Sequence, residues 1–454
     1  MFELLQRVAD QDPQRVAVLT HAGSTSYADL VSASRRVAAF LRRERISRFA
    51  VVDHEAEVIV PLLAGAALAG VEACQYPPAD AGEVVDLLGR LGHEVLVTDR
   101  ADLAGLAERT LATHELTAQA EGSDDIVVAT DTPHLVLTTG TTGAPRGVRH
   151  DWSRLLRGTP RIKSGAGERW LLAYGLHQFA GLQILLHVFA AGAVLVAPAP
   201  RRPIEGLAAM RAFEVTHASA TPTYWRFLLA EMRSDGGPVP ALRQITMGGE
   251  AIPGPLLGDI QRTFPQAQVS QVYAASEFGS TGSMRDGRAG LSISVLERGD
   301  DADVAMKIVD GELWIRSRTG MLGYHDEAPV EADGWRATGD LVEVTDDRIL
   351  FKGRSSEIIN VGGVKVHPLP IEERVSAVDG VDLARVYGRP NAMTGSIVAL
   401  EVVAAVGADR QAVDAAIRRA CEDLSPAARP RSIRFVDSLL TVGDKIIRSH
   451  TGEH

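Results

Sequence analysis

At 454 residues, 45% of them hydrophobic, the chain can bury a large core and divide into two or more domains. A formal net charge of -11 excludes the broad positive field that draws a protein to nucleic acid or anionic lipid, so the expected partners are small molecules or a specific protein surface. Two cysteines, Cys74 and Cys421, exclude a disulfide framework and a thiolate metal cluster, and suit a reducing, cytoplasmic setting.

The opening stretch MFELLQRVADQDPQRVAV combines acids with amphipathic spacing and has no basic region leading into a long apolar run, so no signal peptide is expected. From Tyr27 to about Tyr273, short β-like runs alternate with helical patterns. RFAVVD precedes the helical EVIVPLLAGAALAG; then HEVLVTD, HLVLTTG, RWLLAYG, AVLVAP, THASATP and LRQITMGG read as strands. Between them, IEGLAAMRAFEV and PTYWRFLLAEM repeat apolar residues at helical spacing. This alternation predicts α/β layers with largely parallel sheets. The apolar stretch Phe179 to Pro200 is interrupted by Gln183 and His187 and divided by Ala191-Gly192-Ala193, which predicts a buried helix and a short strand with no membrane span.

Beyond QVYAASEFGS the texture changes. DVAMKIVDGELWIRS places Asp310-Gly311 between two alternating runs, and DLVEVTDDRILFKGR repeats the device at Asp346-Asp347, predicting antiparallel hairpins. A smaller module follows: hairpin EIINVGGVKVHP, helix PIEERVSAV, strands DLARVYG and SIVALEVVA, helix RQAVDAAIRRACEDL, strand SIRFVD, and a loop-like tail with Lys445. The predicted fold is thus α/β: a large N-terminal domain of layered sheets with a β-hairpin subdomain over residues 1–353, and a small, mobile α+β C-terminal domain over residues 357–454.

Within the first half, VLTTGTTGAPRGVRH (Val136 to His150) concentrates threonines and glycines in one loop. Glycine lets backbone N–H groups turn toward an anion without Cβ obstruction, and threonine adds hydroxyl donors, so a nucleotide phosphate is the obvious ligand; a solvated linker is the alternative. The loop has neither the Gly-Lys pair of a Walker loop nor the G-x-G-x-x-G of a dinucleotide fold.

Four more motifs follow in order. QVYAASEFGSTG carries Tyr273, Ser276 and Glu277; GWRATGDLVEV carries Asp340; FKGRSSEIINVGGVKVHP carries Arg354; and LTVGDKIIR carries Lys445, one of five lysines in an arginine-rich chain. Their order and spacing resemble the acyl-adenylate-forming enzymes: acyl- and aryl-CoA synthetases, adenylation domains of peptide synthetases, and luciferase relatives. The resemblance implies ATP, Mg2+ and a thiol acceptor, either CoA or a carrier-protein phosphopantetheine. It implies that Thr138, Thr139, Gly140, Thr141, Thr142, Gly143 and Arg146 close over the β- and γ-phosphates. Tyr273 corresponds to the residue that stacks on adenine, Ser276 to the hydroxyl at the α-phosphate, Glu277 to the Mg2+ carboxylate, and Asp340 and Arg354 to the ribose-holding pair. Lys445 corresponds to the lysine that bridges substrate carboxylate and α-phosphate. TMGGEAIP, with Gly248, Gly249 and Glu250, resembles the loop beside adenine. His177, Gly181, Ala274 and Ala275 are the expected substrate-pocket residues, and Ser356 the hinge.

Several positions depart from the family pattern. Arg146 stands where lysine is usual, Ala274 where glycine is usual, Ser356 where Asp or Lys is usual, and Gly443-Asp444-Lys445 replaces Ser-Gly-Lys. Domains that activate α-amino acids pair the ammonium with an aspartate, yet AYGLHQFAGLQ offers His177 and no acid. An unpartnered buried ammonium costs several kcal/mol. An acyl or aryl carboxylic acid is therefore the expected substrate. Three readings stand: an acyl- or aryl-CoA synthetase, a stand-alone enzyme loading a carrier protein, and a non-catalytic nucleotide-binding homologue.

Overall fold

The computed structural model describes residues 1–117, 132–138, 145–331 and 333–439, with backbone alone at 441–442 and 445–446. An eight-stranded sheet runs in the spatial order Gly279–Met284, Gln268–Ala275, Gln244–Gly248, His217–Ala220, Arg169–Leu172, Val194–Val196, Val16–Thr20 and Gly23–Ser26. Its inner pairs are parallel and its edge pairs antiparallel. A seven-stranded sheet orders Gly323–Tyr324, Gly147–Asp151, Pro133–Leu137, Glu72–Gln75, Arg48–Val51, Val95–Val97 and Arg109–Leu111. The sheets demand helices on their faces, because buried parallel strands have no solvent side.

Two of those helices, Ala56–Ala69 and Phe179–Ala191, are apolar nearly all round and share one core cluster with Tyr27–Arg43. Close packing at Gly65 illustrates the fit: a Cβ there would stand 2.6 Å from Val37 Cβ and 2.7 Å from the Ser34 carbonyl oxygen, so only glycine lets the two helices approach. Tyr27–Arg43 starts in a capping box of Ser26 and Asp29. The Phe179–Ala191 helix stops at Gly192 in the left-handed region (φ 67°) and gives way to the strand Val194–Val196, as its sequence predicts. Among the described residues no helix is long and apolar enough to cross a membrane.

The predicted hairpins Val304–Val309/Glu312–Ser317 and Arg336–Val344/Arg348–Arg354 join Leu291–Ser292 in a five-stranded antiparallel sheet. Beyond the short 3-10 turn Ser355–Glu357, a further sheet is built from Val364–Val366, Ile359–Val361, Gly395–Ala404, Val381–Asn391 and Ser432–Phe435. Helices Pro368–Ser376 and Arg410–Ala420 cover it, and its apolar cluster draws only on residues from Ile359 to Phe435. Arg226 Nη1 donates to Ser376 Oγ (3.1 Å) and Arg233 pairs with Asp382 (3.2 Å), so the helix Pro222–Asp235 makes polar contacts with this module, whose helix Pro368–Ser376 also touches the strand Arg348–Arg354 and the helix Gly254–Thr263. The tail differs from its loop-like reading: Thr441–Val442 and Lys445–Ile446 pair as a minimal antiparallel ribbon. Two-residue strands make too short a pattern for alternation to register.

The core also encloses neutral histidines. Burial holds His134 down to about 3 and His93, His150 and His177 to about 4, from an ordinary 6.5. Unfolding frees each to take up a proton near pH 6.5 while the folded form still refuses it. Stability is therefore full above pH 6.5 and falls as the pH drops toward 4. We expect thermal and urea unfolding to show this acid slope, and His134→Gln to reduce it by about one proton, or ~1.4 kcal/mol per pH unit; an unchanged slope would contradict the assignment.

Candidate active site

The strand Gln268–Ala275 ends where the sheets converge, and the tight turn after it presents Ser276 and Glu277. Tyr273, near that end, donates from its hydroxyl to Asp340 Oδ2 at 2.5 Å and stacks on Phe351 (centroids 5.0 Å apart, 27° between planes). Burial first, and the adjacent Asp340 charge second, push its phenol well above the ordinary tyrosine range, so it remains a donor. Asp340 lies opposite Arg354 in the antiparallel register, and Arg354 Nε stands 3.3 Å from Asp340 Oδ1. Tyr273, Asp340 and Arg354, far apart in sequence, thus form one cluster with two carboxylate oxygens held in place.

Glu277 anchors a second cluster. Its Oε1 accepts from the Tyr324 hydroxyl at 3.1 Å, and its backbone oxygen accepts from Arg336 Nη2 at 3.3 Å. The Tyr324 phenol is raised to about 12, chiefly by burial and next by the Glu277 charge. The Arg146 guanidinium lies 3.4 Å from the centroid of the Tyr324 ring and pairs with Glu327. Thr138 and Arg146 are clasped together: Thr138 N donates to the Arg146 carbonyl (2.9 Å), and Arg146 N donates to Thr138 Oγ1 (3.2 Å). Thr139, Gly140, Thr141, Thr142 and Gly143 lie outside the described residues, as does the Lys445 side chain.

The loop Gly248-Gly249-Glu250 closes the adjoining strand end. Gly249 adopts φ 82°, Gly248 O accepts from the Tyr174 hydroxyl at 3.4 Å, and Glu250 Oε2 accepts from Thr223 N (3.0 Å) and Oγ1 (2.8 Å). Glu250 therefore ties this loop to the start of the helix Pro222–Asp235. His150 is fully buried and stacks on Phe179 (centroids 5.3 Å apart), and among the described residues neither of its ring nitrogens has a hydrogen-bond partner.

A cavity of about 760 Å³ opens from this point, and Gly248, Gly249, Ala274, Ala275 and Ser276 are in its lining. Its size suits a small organic ligand. Two expected pocket residues fall outside that lining. The His177 ring packs over Gly175, where a Cβ would lie 2.3 Å from its Cε1, and burial together with Arg201 and His54 lowers its pKa. Gly181 serves packing: a Cβ there would stand 2.3 Å from the Gly175 carbonyl oxygen.

Whether these residues suit Mg2+ and a nucleotide can be tested on their donors. Among the described residues, no three His, Cys, Asp or Glu side chains converge on a metal position. Mg2+ takes one or two carboxylates and completes its shell with phosphate oxygens and water, a role open to the Glu277 carboxylate. Arg336 Nε and Nη1 are buried without a hydrogen-bond partner among the described residues, beside Glu277. Buried guanidinium donors left unpaired are costly, and an anionic ligand would satisfy them. The residues therefore fit: Glu277 for the cation, Arg146 and Arg336 for phosphate. Tyr324 escapes a reading of motifs, because its segment comes to Glu277 through contacts between distant segments, the pairing of Gly323–Tyr324 with Gly147–Asp151 and the Met321 N–H donated to the Glu277 carbonyl; Arg336 lies within GWRATGDLVEV, but only the fold brings it to Glu277.

Comparison with known proteins gives concordant findings. The model of the AMP-binding enzyme family matches residues 5–325, and that of the AMP-binding enzyme C-terminal domain matches residues 370–442. The chain is similar to a medium/long-chain-fatty-acid–acyl-carrier-protein ligase of Mycobacterium tuberculosis, with 28% identity covering 96% of this chain and 84% of that one. Its fold is similar to that of an anthranilate CoA ligase in complex with anthranoyl-AMP (TM-score 0.83, 19% identity, 98% of this chain and 95% of the other). It is likewise similar to o-succinylbenzoate CoA synthetase from Bacillus subtilis in complex with ATP and magnesium ion (TM-score 0.78, 23% identity, 98% of each chain).

Tyr324→Phe keeps the ring under Arg146 and removes only the hydroxyl that holds Glu277. Loss of a hydrogen bond to a charged group of this kind corresponds to about a ten- to hundredfold rise in KM for MgATP. The melting temperature should stay nearly unchanged; an unaltered KM across a Mg2+ titration would show that Tyr324 does not position Glu277.

Proposed function

Because the chain belongs to the AMP-binding enzyme family, we propose that it activates an acyl or aryl carboxylic acid with ATP, releasing pyrophosphate, and then transfers the acyl group to a thiol. The observation that carries this reading is the meeting of two features at one turn: Tyr273 and Glu277 belong to the nucleotide-type clusters, and Ala274 to Ser276 between them line a cavity of acid-binding size. Tyr273 and the loop Gly248 to Glu250 flank the base, Asp340 accepts from the ribose hydroxyls with Arg354 fixing its orientation, and the Ser276 hydroxyl faces the α-phosphate. Arg146, Arg336 and the stretch Thr138 to Gly143 hold the β- and γ-phosphates. Mg2+ held at Glu277 supplies charge neutralisation when bound.

Chemistry follows from charge. A carboxylate oxygen attacks an α-phosphorus whose oxygens are already anionic; the new O–P bond forms as the bond to pyrophosphate breaks, leaving the mixed anhydride. Lys445, delivered by the C-terminal module, bridges the two anions and stabilises the approach, so catalysis is electrostatic and orientational. The sulfur of the acceptor then attacks the carbonyl carbon, AMP leaves, and the thiol proton passes to solvent.

Residues 357–454 act as a lid turning at Ser356, within the turn Ser355–Glu357. That turn leaves the strand carrying Arg354 and lies outside the apolar cluster of the module. CoA is the acceptor in the first reading, as in the CoA ligases of similar fold. A holo carrier protein is the second, favoured by the likeness to the acyl-carrier-protein ligase. Both belong in the cytoplasm.

Acid-dependent pyrophosphate–ATP exchange tests the first half-reaction, and thioester formation with CoA or holo carrier protein the second. Lys445→Ala should lower exchange by about 10² to 10³-fold with little effect on MgATP affinity. Exchange undiminished by that substitution would remove Lys445 from the chemistry.

A further inference from the structure

The parallel strands that floor the cavity carry an unusual side-chain pattern. Along the eight-stranded sheet, Leu171, Ala173, Ala218, Ala220, Ile245 and Met247 pack into an apolar cluster. Their alternates do not mirror them. Trp170, His217, Ser219, Gln244, Thr246 and Ser270 line the cavity. They are also in register: Trp170 lies opposite His217, His217 opposite Gln244, Ser219 opposite Thr246, and Thr246 opposite Ser270. A parallel sheet covered on both faces ordinarily presents aliphatic residues on both. Here the covering helix Phe179–Ala191 answers polar with polar, placing Gln183 and His187, one turn apart, in the same lining.

The polar groups concentrate at the strand starts, away from Ser276. Trp170 packs against both His187 (centroids 4.7 Å, tilted by 60°) and His217 (4.8 Å, stacked). Its Nε1 donates to Glu168 Oε2 at 2.8 Å, while Glu168 Oε1 lies 3.6 Å from His217 Nε2. His217 Nδ1 is 2.7 Å from Thr216 Oγ1, whereas among the described residues neither the His187 ring nor the Gln183 amide has a hydrogen-bond partner. Burial lowers the pKa of both imidazoles, which keeps them uncharged. Polar groups in a ligand cavity are arranged for something that answers them, since leaving them unpaired beneath an alkyl chain is costly.

We infer that the acid carries, remote from its carboxylate, a hydrogen-bond-donating substituent, a hydroxyl or amino group, recognised by Glu168, Gln183, His187 and His217. This rests on the acid-activating reading above and deepens it to a substrate class: hydroxy- or amino-substituted aryl or medium-length acyl acids, in place of plain alkyl or unsubstituted aryl acids. Glu168 opposes a second carboxylate at that end; the cations of the lining, Arg161, Lys163 and Arg285, are exposed and screened by solvent.

Pyrophosphate–ATP exchange with the full chain tests the inference on matched pairs: benzoate against its ring-hydroxylated and amino derivatives, octanoate against 8-hydroxyoctanoate, and a dicarboxylate of equal length. The best donor-bearing acid should exceed its unsubstituted parent about tenfold or more in kcat/KM. His187→Leu should shrink that ratio to about threefold or less through KM for the acid, leaving KM for ATP unchanged; Gln183→Leu, on the same helix face, should do likewise and serves if the first variant does not fold. Equal or better use of the unsubstituted acid or the dicarboxylate, or a ratio untouched by both variants, overturns this inference and leaves acid activation standing. Absence of exchange with every acid overturns both.

Discussion

Two anions have to be brought within bonding distance, and the architecture is organised around making that approach possible. A carboxylate and a polyphosphate repel each other at every separation, so positive charge must be fixed in place before they meet. In a chain of net charge -11 it cannot come from a general field; it must be local. In the proposed reading Arg146 and Arg336 supply it, the first stacked on Tyr324 and the second with two buried donor nitrogens that have no partner among the described residues. In that reading a bound phosphate offsets the cost of burying those two Arg336 donors.

The same sheet solves a second problem by presenting two different faces. One packs into the apolar core that gives the body its stability, and the other lines the cavity. Because side chains alternate along a strand, each strand contributes to both without interruption, and the ligand-facing groups inherit the rigidity of the core behind them. The turn after Ala275 completes the arrangement: the strand end that closes the cavity is also the point where Ser276 and Glu277 enter the nucleotide cluster.

Much of this was legible in the sequence, because the signals involved are local. Strand runs such as RWLLAYG and LRQITMGG, the Asp310-Gly311 hairpin and the helix-then-strand reading of Phe179 to Pro200 each depend on periodicity or turn chemistry within a few residues, and the structure contains all of them. The tail ribbon was too short to register. The residues proposed for the site on motif grounds were readable for the same reason, whereas the places of Tyr324, Arg336 and the polar lining were not. Tyr324 reaches Glu277 through a two-residue strand paired across more than a hundred residues of sequence. Ser219 and Thr246 look like ordinary strand residues until the register sets them side by side. His177 is the converse case: its motif position pointed to the acid pocket, yet its ring packs over Gly175 and His177 is not among the residues that line the cavity.

The arginine at position 146, where the family pattern has lysine, now has a structural reason. An ammonium is a compact, strongly hydrated charge on a flexible stem, and it gains most from direct approach to an anion. A guanidinium is planar and weakly hydrated, so it can lie flat on an aromatic ring while its edge still offers donors. The ring it lies on, Tyr324, is the one whose hydroxyl holds Glu277. Stacking therefore fixes the relative positions of Arg146 and Glu277, the groups proposed for phosphate and for metal, which lysine could reach but not orient. The exchange is accordingly one half of a pair, with Tyr324 as the other half, and the two positions should be read together wherever either one varies.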